Sequence, residues 1–308
     1  MNPVRIHSSS FLGKYIRLLR IKHWLKNGLI LLPVLCNGSF FDNSHMYKAI
    51  IAFFSFSFIS SSIYVINDIR DVEKDKLHKT KKNRPIANGS VSISQAKYLS
   101  VCMLLLAFIS NLIIYNKIFM FSSWICLILY FILNLGYSLG LKNTPFVDIA
   151  ILVSGFFLRV LYGSIVCDIA LSKWMYLVII CFSFYLSLGK RRNELFQNGS
   201  KTRGSLKYYT NNFLDKNMYM CLGLTITFYA LWSMDTAVAL HNTDSLFSTI
   251  PLVLLICMRY SMTVENPDSS GDPVDVLLGD KILMILVVMF VLLLFFAIYA
   301  TNLGGTGL

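Results

Sequence analysis

Nine long apolar stretches dominate this 308-residue sequence, and they constrain its fold more than any other feature. A helix needs roughly 20 mostly apolar residues to cross the hydrocarbon core of a bilayer, and most of the stretches approach that length. Lipid is the expected solvent, in agreement with a mean hydropathy of +0.61 and a charged fraction of only 14%. We predict an all-α, polytopic membrane protein with spans near 27–42, 47–69, 94–115, 118–138, 147–167, 172–190, 216–240, 246–264 and 281–301.

The basic residues in the connections between these stretches lie almost entirely on one side of the predicted bundle. With the N-terminus in the cytoplasm, the external side carries only Lys48, Lys117 and Lys173. The positive-inside rule favours this orientation. The net charge of +12 therefore indicates topology rather than nucleic-acid binding, because the basic segments alternate with bilayer spans. We predict a multi-pass protein of a bacterial inner membrane, with a cytoplasmic N-terminus and an external C-terminus.

The predicted spans divide the chain into a basic N-terminal segment, 1–26, and a single transmembrane catalytic domain, 27–308. The N-terminal segment lacks a cleavage-site pattern, so we do not expect it to be removed as a signal peptide. The seven cysteines are scattered about one to a span without metal-ligand spacing, which is typical of apolar filler. The long polar segments are the cytoplasmic loops, 70–93, 139–146, 190–215 and 265–280.

A row of carboxylates stands at the end of the second predicted span. Asp68, Asp71 and Asp75 are spaced at i, i+3 and i+7, with Asn67 four residues before Asp71, so a continuing helix places them on one face. Such a row repels itself unless a cation neutralises it, and hard oxygen ligands suit Mg²⁺ when substrate phosphates complete the coordination. The alternative is a solvated acidic helix end balanced by basic neighbours. Asp68 weighs against it, because Asp68 adjoins an apolar run where an unpaired carboxylate is costly.

Cationic side chains accompany the acidic row on the same side of the membrane. Arg84 precedes a rigid proline, and a basic triplet, 190–192, ends the sixth predicted span. Anchoring of inner span ends explains such residues about as well as phosphate binding does. Arg159 differs, because it falls near the middle of the fifth span, where a lipid-facing guanidinium is costly. We expect it to face a central cavity and to bind a substrate phosphate or a carboxylate of the row, with a structural ion pair as the alternative.

These residues resemble those of the UbiA superfamily of intramembrane prenyltransferases, whose fold is nine transmembrane helices around a central cavity. The pattern Asn67-Asp68-x-x-Asp71-x-x-x-Asp75 followed by Arg84-Pro85 is similar to the first aspartate motif of that superfamily. The resemblance narrows to one branch, the decaprenyl-phosphate phosphoribosyltransferases, through the segments 20–27, 137–142, 157–159 and 190–195.

That resemblance implies the transfer of 5-phosphoribose from phosphoribosyl pyrophosphate to a polyprenyl phosphate, for arabinofuranose donors of cell-wall polymers. Where the superfamily has a second aspartate-rich motif, this sequence has a basic triplet. One acidic and one basic patch fit a donor with a metal-bound pyrophosphate and a separate 5-phosphate. The implied metal ligands are Asn67, Asp68, Asp71 and Asp75; the catalytic residues are Asp68, Asp71 and Arg159; the substrate-binding residues are Lys26, Asn27, Arg84, Tyr137, Lys142, Lys190, Arg191, Arg192 and Glu194.

Two other functions remain open from the sequence. An aromatic prenyltransferase of the same fold uses a prenyl diphosphate, and the missing second aspartate motif argues against it. A transporter or lipid-binding protein without chemistry predicts charges along a pathway through the bilayer, whereas here only Arg159 lies deep. The expected partners are the bilayer, a polyprenyl phosphate and phosphoribosyl pyrophosphate, with Mg²⁺ as cofactor and no nucleic acid. The sequence leaves homo-oligomerisation open.

Overall fold

The computed structural model describes residues 11–77, 81–114, 120–199, 203–239, 246–266, 269 and 271–304, and the regular structure within these ranges is entirely helical. The α-helices are α1 (Phe11–Leu19), α2 (Leu32–Cys36), α3 (Asn43–Arg70), α4 (Val72–Lys76), α5 (Ile93–Ile113), α6 (Met120–Leu139), α7 (Val147–Cys167), α8 (Lys173–Asn198), α9 (Asn211–Ala239), α10 (Ile250–Glu265), α11 (Pro273–Gly279) and α12 (Lys281–Gly304). Short 3₁₀ segments occupy Ile21–Leu31, Lys81–Asn83, Leu141–Asn143, Ser205–Tyr208 and Phe247–Thr249.

The all-α prediction is confirmed, whereas the predicted count of nine spans is not. Six helices in the described ranges are long and apolar enough to cross a bilayer, in α3, α5, α6, α7, α10 and α12. Helices α8 and α9 are long, at 26 and 29 residues, but they carry more polar residues. The first predicted span, 27–42, is instead the end of a 3₁₀ segment, the five-residue helix α2 and a turn.

Helices α3 and α7 form the centre of the bundle. About 61% of the most apolar window of each is buried, against 28% for α5 and 22% for α6. Helix α7 packs against α3, α6, α8 and the 3₁₀ segment Ile21–Leu31. The last contact is close, because a Cβ at Gly163 would lie 2.2 Å from the Ile30 carbonyl oxygen. Only glycine therefore allows this approach, which fixes the N-terminal segment against the central helix.

Side-chain caps fix where the long helices begin. The Asp42 carboxylate accepts a hydrogen bond from the Ser44 amide at the start of α3. Ser92 forms a capping box with Gln95 at the start of α5. Ser172 caps α8 in the same way. These caps satisfy amides that would otherwise lack partners at the membrane boundary.

The outer faces of the bundle are apolar. Ile109 on α5, Phe121 on α6 and Leu292 on α12 are 51%, 78% and 53% exposed. Exposed apolar surface on this scale requires lipid rather than water around it. All seven cysteines are free; four are buried, and Cys102 lies on the exposed face of α5, in agreement with a role as apolar filler.

Candidate active site

The acidic row lies where α3 leaves the apolar bundle, and Asp71 is the single residue that separates α3 from α4. The Asp71 amide donates to the Asn67 carbonyl at 2.9 Å, and the Asp75 amide donates to the Asp71 carbonyl at 2.8 Å. These bonds keep the helical register across the junction. Asp68 and Asp75 therefore face the same way, as their spacing predicts.

Two arginines neutralise the buried carboxylates of the row. Arg84 Nη1 donates to Asp68 Oδ1 at 3.0 Å and to Asp75 Oδ2 at 2.7 Å. Arg20 Nη2 donates to Asp68 Oδ1 at 2.6 Å and lies over the ring of Tyr64. Asp68 and Asp75 are 3% and 4% exposed, so these ion pairs replace lost hydration. Arg84 thus contacts the row, and Arg20 is a further partner that the sequence analysis did not assign to the site.

Asp71 is the more accessible carboxylate of the row. Its side chain lies 3.7 Å from Lys142 Nζ, and the two side chains are 30% and 28% exposed. An ion pair this exposed contributes little, so either partner can bind a ligand instead. Ser205 Oγ donates to the Lys142 carbonyl at 3.0 Å and so holds the 3₁₀ turn in place. The structure therefore brings two predicted site residues, Asp71 and Lys142, together.

The oxygen donors of the row are of the kind that Mg²⁺ prefers. Asn67 Oδ1 is buried and has no hydrogen-bond partner, and it lies in the same stretch as three carboxylates. A buried acceptor without a partner costs free energy that a cation or a donor would relieve. Within the described ranges, no three His, Cys, Asp or Glu side chains converge closely enough to hold a metal ion alone. The donor set fits a Mg²⁺ ion shared with substrate phosphates rather than a closed protein cage.

A second charged centre forms around Asp272, which the sequence analysis did not single out. Lys26 Nζ and Lys190 Nζ donate to Asp272 Oδ2 at 3.0 and 2.9 Å. His23 Nδ1 lies 3.9 Å from the other carboxylate oxygen. Asp272 also caps α11 ahead of a proline, a pattern that marks a helix start in the sequence but does not reveal the two lysines.

Positive charge exceeds negative charge at this second centre. Burial and the nearby Lys190 lower the pKa of Lys26 to about 8, although Asp272 opposes the shift. Burial also lowers the pKa of His23 to about 4, so its ring is neutral at pH 7. Burial disfavours the Asp272 carboxylate, but the two lysines hold its pKa well below the usual range. Two ammonium groups share one carboxylate, and such a site attracts a further anion.

The basic triplet at the end of α8 does not form one patch. Lys190 contacts Asp272, Arg191 points into the bundle, and Arg192 Nε donates to Asp215 on α9 at 2.6 Å. Consecutive residues of a helix are about 100° apart, so three adjacent charges face three directions. We therefore correct the predicted three-residue phosphate site: of the triplet, only Lys190 joins Lys26.

Arg191 is fully buried, and its nitrogens bind protein groups. Nε donates to Asp148 at 2.7 Å, Nη1 to Glu194 at 2.7 Å and Nη2 to the Tyr137 hydroxyl at 2.9 Å. Arg203 also donates to Tyr137 and Glu194, and it forms the more exposed edge of the network. Because Arg191 is 0% exposed, its predicted role as a substrate ligand is corrected to that of a positioning residue. Tyr137 and Glu194 belong to the same network.

Asp148 anchors the loop that follows α8 to this network. Tyr209 donates its hydroxyl to Asp148 Oδ1 at 2.8 Å, and Ser205 donates to Oδ2 at 3.1 Å. Asp148 is 0% exposed in the first turn of α7. Its position at the edge of an apolar run is the one signal in the sequence, because its partners lie 43 to 61 residues away.

Arg159 lies deep between the helices, as predicted, but it does not pair with the acidic row. Its Nε donates to Asn27 Oδ1 at 2.7 Å, its Nη2 donates to Tyr130 at 3.0 Å, and the Phe56 ring lies 5.0 Å away. Within the described part of the chain, no carboxylate lies at ion-pair distance from Arg159. Asn27 is 1% exposed and also donates to Ser57, so its predicted role in substrate binding is corrected to the support of Arg159.

The two charged centres meet on one segment. Arg20 contacts the acidic row and Lys26 contacts Asp272, and the two residues are six positions apart, about 12 Å along the axis of a 3₁₀ helix. Lys22 Nζ also pairs with Asp275 on α11 at 2.7 Å, an exposed contact between this segment and α11. The arrangement suits a ligand with one anionic group at either end.

Comparison with known proteins identifies the family. Residues 33–273 match the model of the UbiA prenyltransferase family. The decaprenyl-phosphate phosphoribosyltransferase of Corynebacterium glutamicum is 35% identical over 92% of this chain and 86% of its own. The enzyme of the same name from Mycolicibacterium smegmatis is 33% identical over 92% of both chains.

Solved structures agree on the fold. A UbiA homologue from Archaeoglobus fulgidus, bound to GPP and Mg²⁺, superposes with a TM-score of 0.66 over 92% of this chain and 99% of its own. At 18% identity this likeness concerns the fold alone. The family and the apolar helices together make this chain an integral membrane protein.

Proposed function

The chain belongs to the UbiA prenyltransferase family, and from this we propose that it transfers 5-phosphoribose from phosphoribosyl pyrophosphate to a polyprenyl phosphate, with release of pyrophosphate. The names of its relatives from Corynebacterium and Mycolicibacterium support this assignment. The observation that carries it is that one short segment joins the acidic row, through Arg20, to the cationic centre of Lys26 and Lys190. A donor with two phosphate-bearing ends matches these two centres.

The two ends of the donor bind differently in this proposal. The 5-phosphate binds Lys26 and Lys190, which then share their charge between the phosphate and Asp272. The pyrophosphate binds at the acidic row, where Arg84 and Lys142 supply further positive charge. Holding both ends fixes C1 of the ribose between them, which is the positioning that group transfer requires.

Asn67, Asp68, Asp71 and Asp75 are the residues that would hold Mg²⁺, and the ion would neutralise the charge that develops on the leaving pyrophosphate. Arg20 and Arg84 already bind two of these carboxylates, so they keep the row folded and compensated before the donor arrives. The Asn67 oxygen and the Asp71 carboxylate are the least committed donors of the set.

The reaction forms a bond between a phosphate oxygen of the acceptor and C1 of the ribose, and it breaks the bond from C1 to the pyrophosphate oxygen. The acceptor oxygen is already anionic at neutral pH, so the chain needs no strong general base. Arg159 is 5% exposed and donates to Asn27 and Tyr130 beside the Phe56 ring. We assign it to attraction of the acceptor phosphate toward the donor.

The direct test is incubation of the purified protein with Mg²⁺, phosphoribosyl pyrophosphate and a polyprenyl phosphate, followed by mass spectrometry of the lipid fraction. We expect a lipid whose mass has increased by one phosphoribosyl group, and its loss when Mg²⁺ is chelated. A parallel reaction contains a prenyl diphosphate and an aromatic acceptor. Prenylation of the aromatic compound, without phosphoribosylation of the lipid, would assign the chain to the ordinary prenyltransferases instead.

We further propose that the protein lies in the bacterial cell membrane with both charged centres at the cytoplasmic face, and that its product feeds cell-wall arabinan or a related glycan. The donor's own charge supports this side, because phosphorylated sugars do not cross lipid unaided. Single cysteines at Glu73 and Tyr208, in a chain without native cysteines, should react with an impermeant thiol reagent in inverted vesicles and not in intact cells. A cysteine at Lys173 is the external control. The reverse labelling pattern would overturn the orientation.

A further inference from the structure

A separate cleft opens where α10 ends and α12 begins. Its volume is about 390 Å³, and it is lined by Arg259, Met262, Thr263, Asn266, Gly279, Asp280, Lys281 and Ile282. None of these residues belongs to the acidic row, the Asp272 centre or the Arg191 network.

The carboxylate in this cleft is committed to the protein. Asp280 Oδ2 accepts hydrogen bonds from Arg259 Nε and Thr263 Oγ1, both at 2.7 Å. Asp280 Oδ1 accepts hydrogen bonds from the Ile282 and Leu283 amides at the start of α12. Burial opposes its ionisation, but these hydrogen bonds lower the pKa of Asp280 to about 2. The carboxylate therefore stays charged and fully bonded, and it does not compete for a ligand.

Two cations remain directed to the cleft. Arg259 Nη1 has only a weak contact with the Met262 sulfur at 3.7 Å, and its side chain is 30% exposed. Lys281 is an exposed residue at the first position of α12. With one bonded carboxylate and two cations, the cleft has a net positive charge and free guanidinium donors, which suit a phosphate group.

The surroundings of the cleft are apolar and face outward. Met258, Met262, Ile282 and Ile285 are 64%, 66%, 53% and 57% exposed, and they lie on two of the membrane-spanning helices. The loop between these helices carries Asp272, so the cleft lies at the same end of the bundle as the cationic centre. Cations at a membrane boundary above exposed apolar side chains are where a lipid head group lies.

We propose that this cleft binds the head group of an anionic phospholipid, with its phosphate on Arg259 and Lys281 and its acyl chains along Met258, Met262 and Ile285. The site lies outside the reaction centre, and α11 connects it to Asp272. A bound lipid would therefore hold the last loop, and with it the partner of Lys26 and Lys190, in a fixed position.

Native mass spectrometry of the detergent-purified full chain tests the site with two probes, phosphatidylglycerol and phosphatidylcholine. We expect the anionic lipid to be retained in preference to the zwitterionic one. Lys281→Gln should weaken phosphatidylglycerol binding about five-fold, the effect of one basic residue at a charged lipid surface. Among the described residues, the Lys281 side chain has no hydrogen bond or ion pair with the protein, so this variant stays informative if Arg259→Gln misfolds through the loss of the Asp280 pair.

Lys97→Gln is the matched control, because Lys97 is also an exposed lysine in the first turns of a lipid-facing helix but does not line this cleft. Equal effects of Lys281→Gln and Lys97→Gln would overturn the site. Displacement of the lipid by free glycerol phosphate at a similar concentration would overturn the lipid assignment. Displacement by an equimolar polyprenyl phosphate would instead make the cleft an acceptor-lipid site.

Discussion

The acidic row and the Arg191 network are both clusters of charge at the ends of long helices, yet they use that charge in opposite ways. In the acidic row, the basic partners Arg20, Arg84 and Lys142 are 24%, 27% and 28% exposed. In the network, Arg191 and Asp148 are both 0% exposed. Partners that keep contact with water can exchange one another for a ligand, whereas fully buried partners serve only the fold. Among the basic partners, exposure rather than charge separates those of the acidic row from those of the network.

The largest effect should come from breaking the buried network. We expect Arg191→Ala to lower the free energy of unfolding by about 3–5 kcal/mol, because Asp148 would remain buried without its countercharge. The measurement is denaturant-induced unfolding in mixed micelles. Arg192→Ala is the control, since its partner Asp215 is 32% exposed, and it should cost about 1 kcal/mol or less. Similar losses in both variants would show that burial of an ion pair does not decide how much it contributes to stability.

The acidic row should show the reverse pattern, with activity lost and stability kept. We expect Asp71→Asn to lower kcat/KM about 100-fold, or about 2.7 kcal/mol, because Asp71 is the proposed metal ligand that is least committed to protein partners. The melting temperature should hardly change, since its ion pair with Lys142 is weak. Glu73→Gln removes a 78% exposed carboxylate two residues away and should retain activity. If Asp71→Asn kept more than about a tenth of the activity, its proposed metal role would be wrong.

Donor specificity sharpens the comparison within the basic triplet. If Lys190 holds the 5-phosphate, Lys190→Gln should lower turnover of phosphoribosyl pyrophosphate about ten-fold and hardly affect a ribosyl donor without that phosphate. Arg192→Gln should affect both donors equally and weakly, because Arg192 faces α9. Rates for both donors on wild type and each variant give the coupling. Equal losses on both donors for Lys190→Gln would mean that it supports the fold only.

The smallest effect concerns pH. Burial lowers the pKa of Lys26 to about 8 in the folded chain, whereas its pKa in the unfolded chain is near 10.5. As pH rises, the folded chain therefore loses this proton first. The free-energy cost of burying the charged Lys26 is therefore relieved as pH rises through that range. Folding stability increases while the cationic form of Lys26 is lost. We expect KM for phosphoribosyl pyrophosphate to rise several-fold above about pH 8, and Lys26→Arg to flatten the profile. A wild-type KM independent of pH from 7 to 9.5 would contradict the role of Lys26.

The sequence predicted the helices that are continuous apolar runs. Helix α7 spans Val147–Cys167, as predicted, because a polar turn ends the run on each side. The prediction of a continuous span at 27–42 was wrong. Asn27, Gly28 and Pro33 disfavour a regular α-helix there, and the chain forms a 3₁₀ segment followed by the short helix α2. Hydropathy reports how apolar a stretch is and not which helix it forms.

The candidate site was likewise predictable only in part. The residues of the acidic row lie close together in the sequence, and their i, i+3, i+7 spacing places them on one helical face. Asp272 was not predictable, because it lies 82 residues from Lys190 and 246 from Lys26. The burial of Arg191 was not either, since its partners come from α6 and α7. Long-range partners and burial depend on the tertiary fold, which a single sequence does not display.

The contact between Lys26 and Asp272 also sets an order for assembly during synthesis. The two residues are 246 positions apart, so at about 5–20 residues per second the ribosome makes Asp272 roughly 12–50 seconds after Lys26. The acidic row and its arginines are complete once residue 84 has been made. The cationic centre closes only when the last loop returns to the first segment. The acidic row therefore forms early in membrane insertion, whereas the cationic centre forms near the end of synthesis.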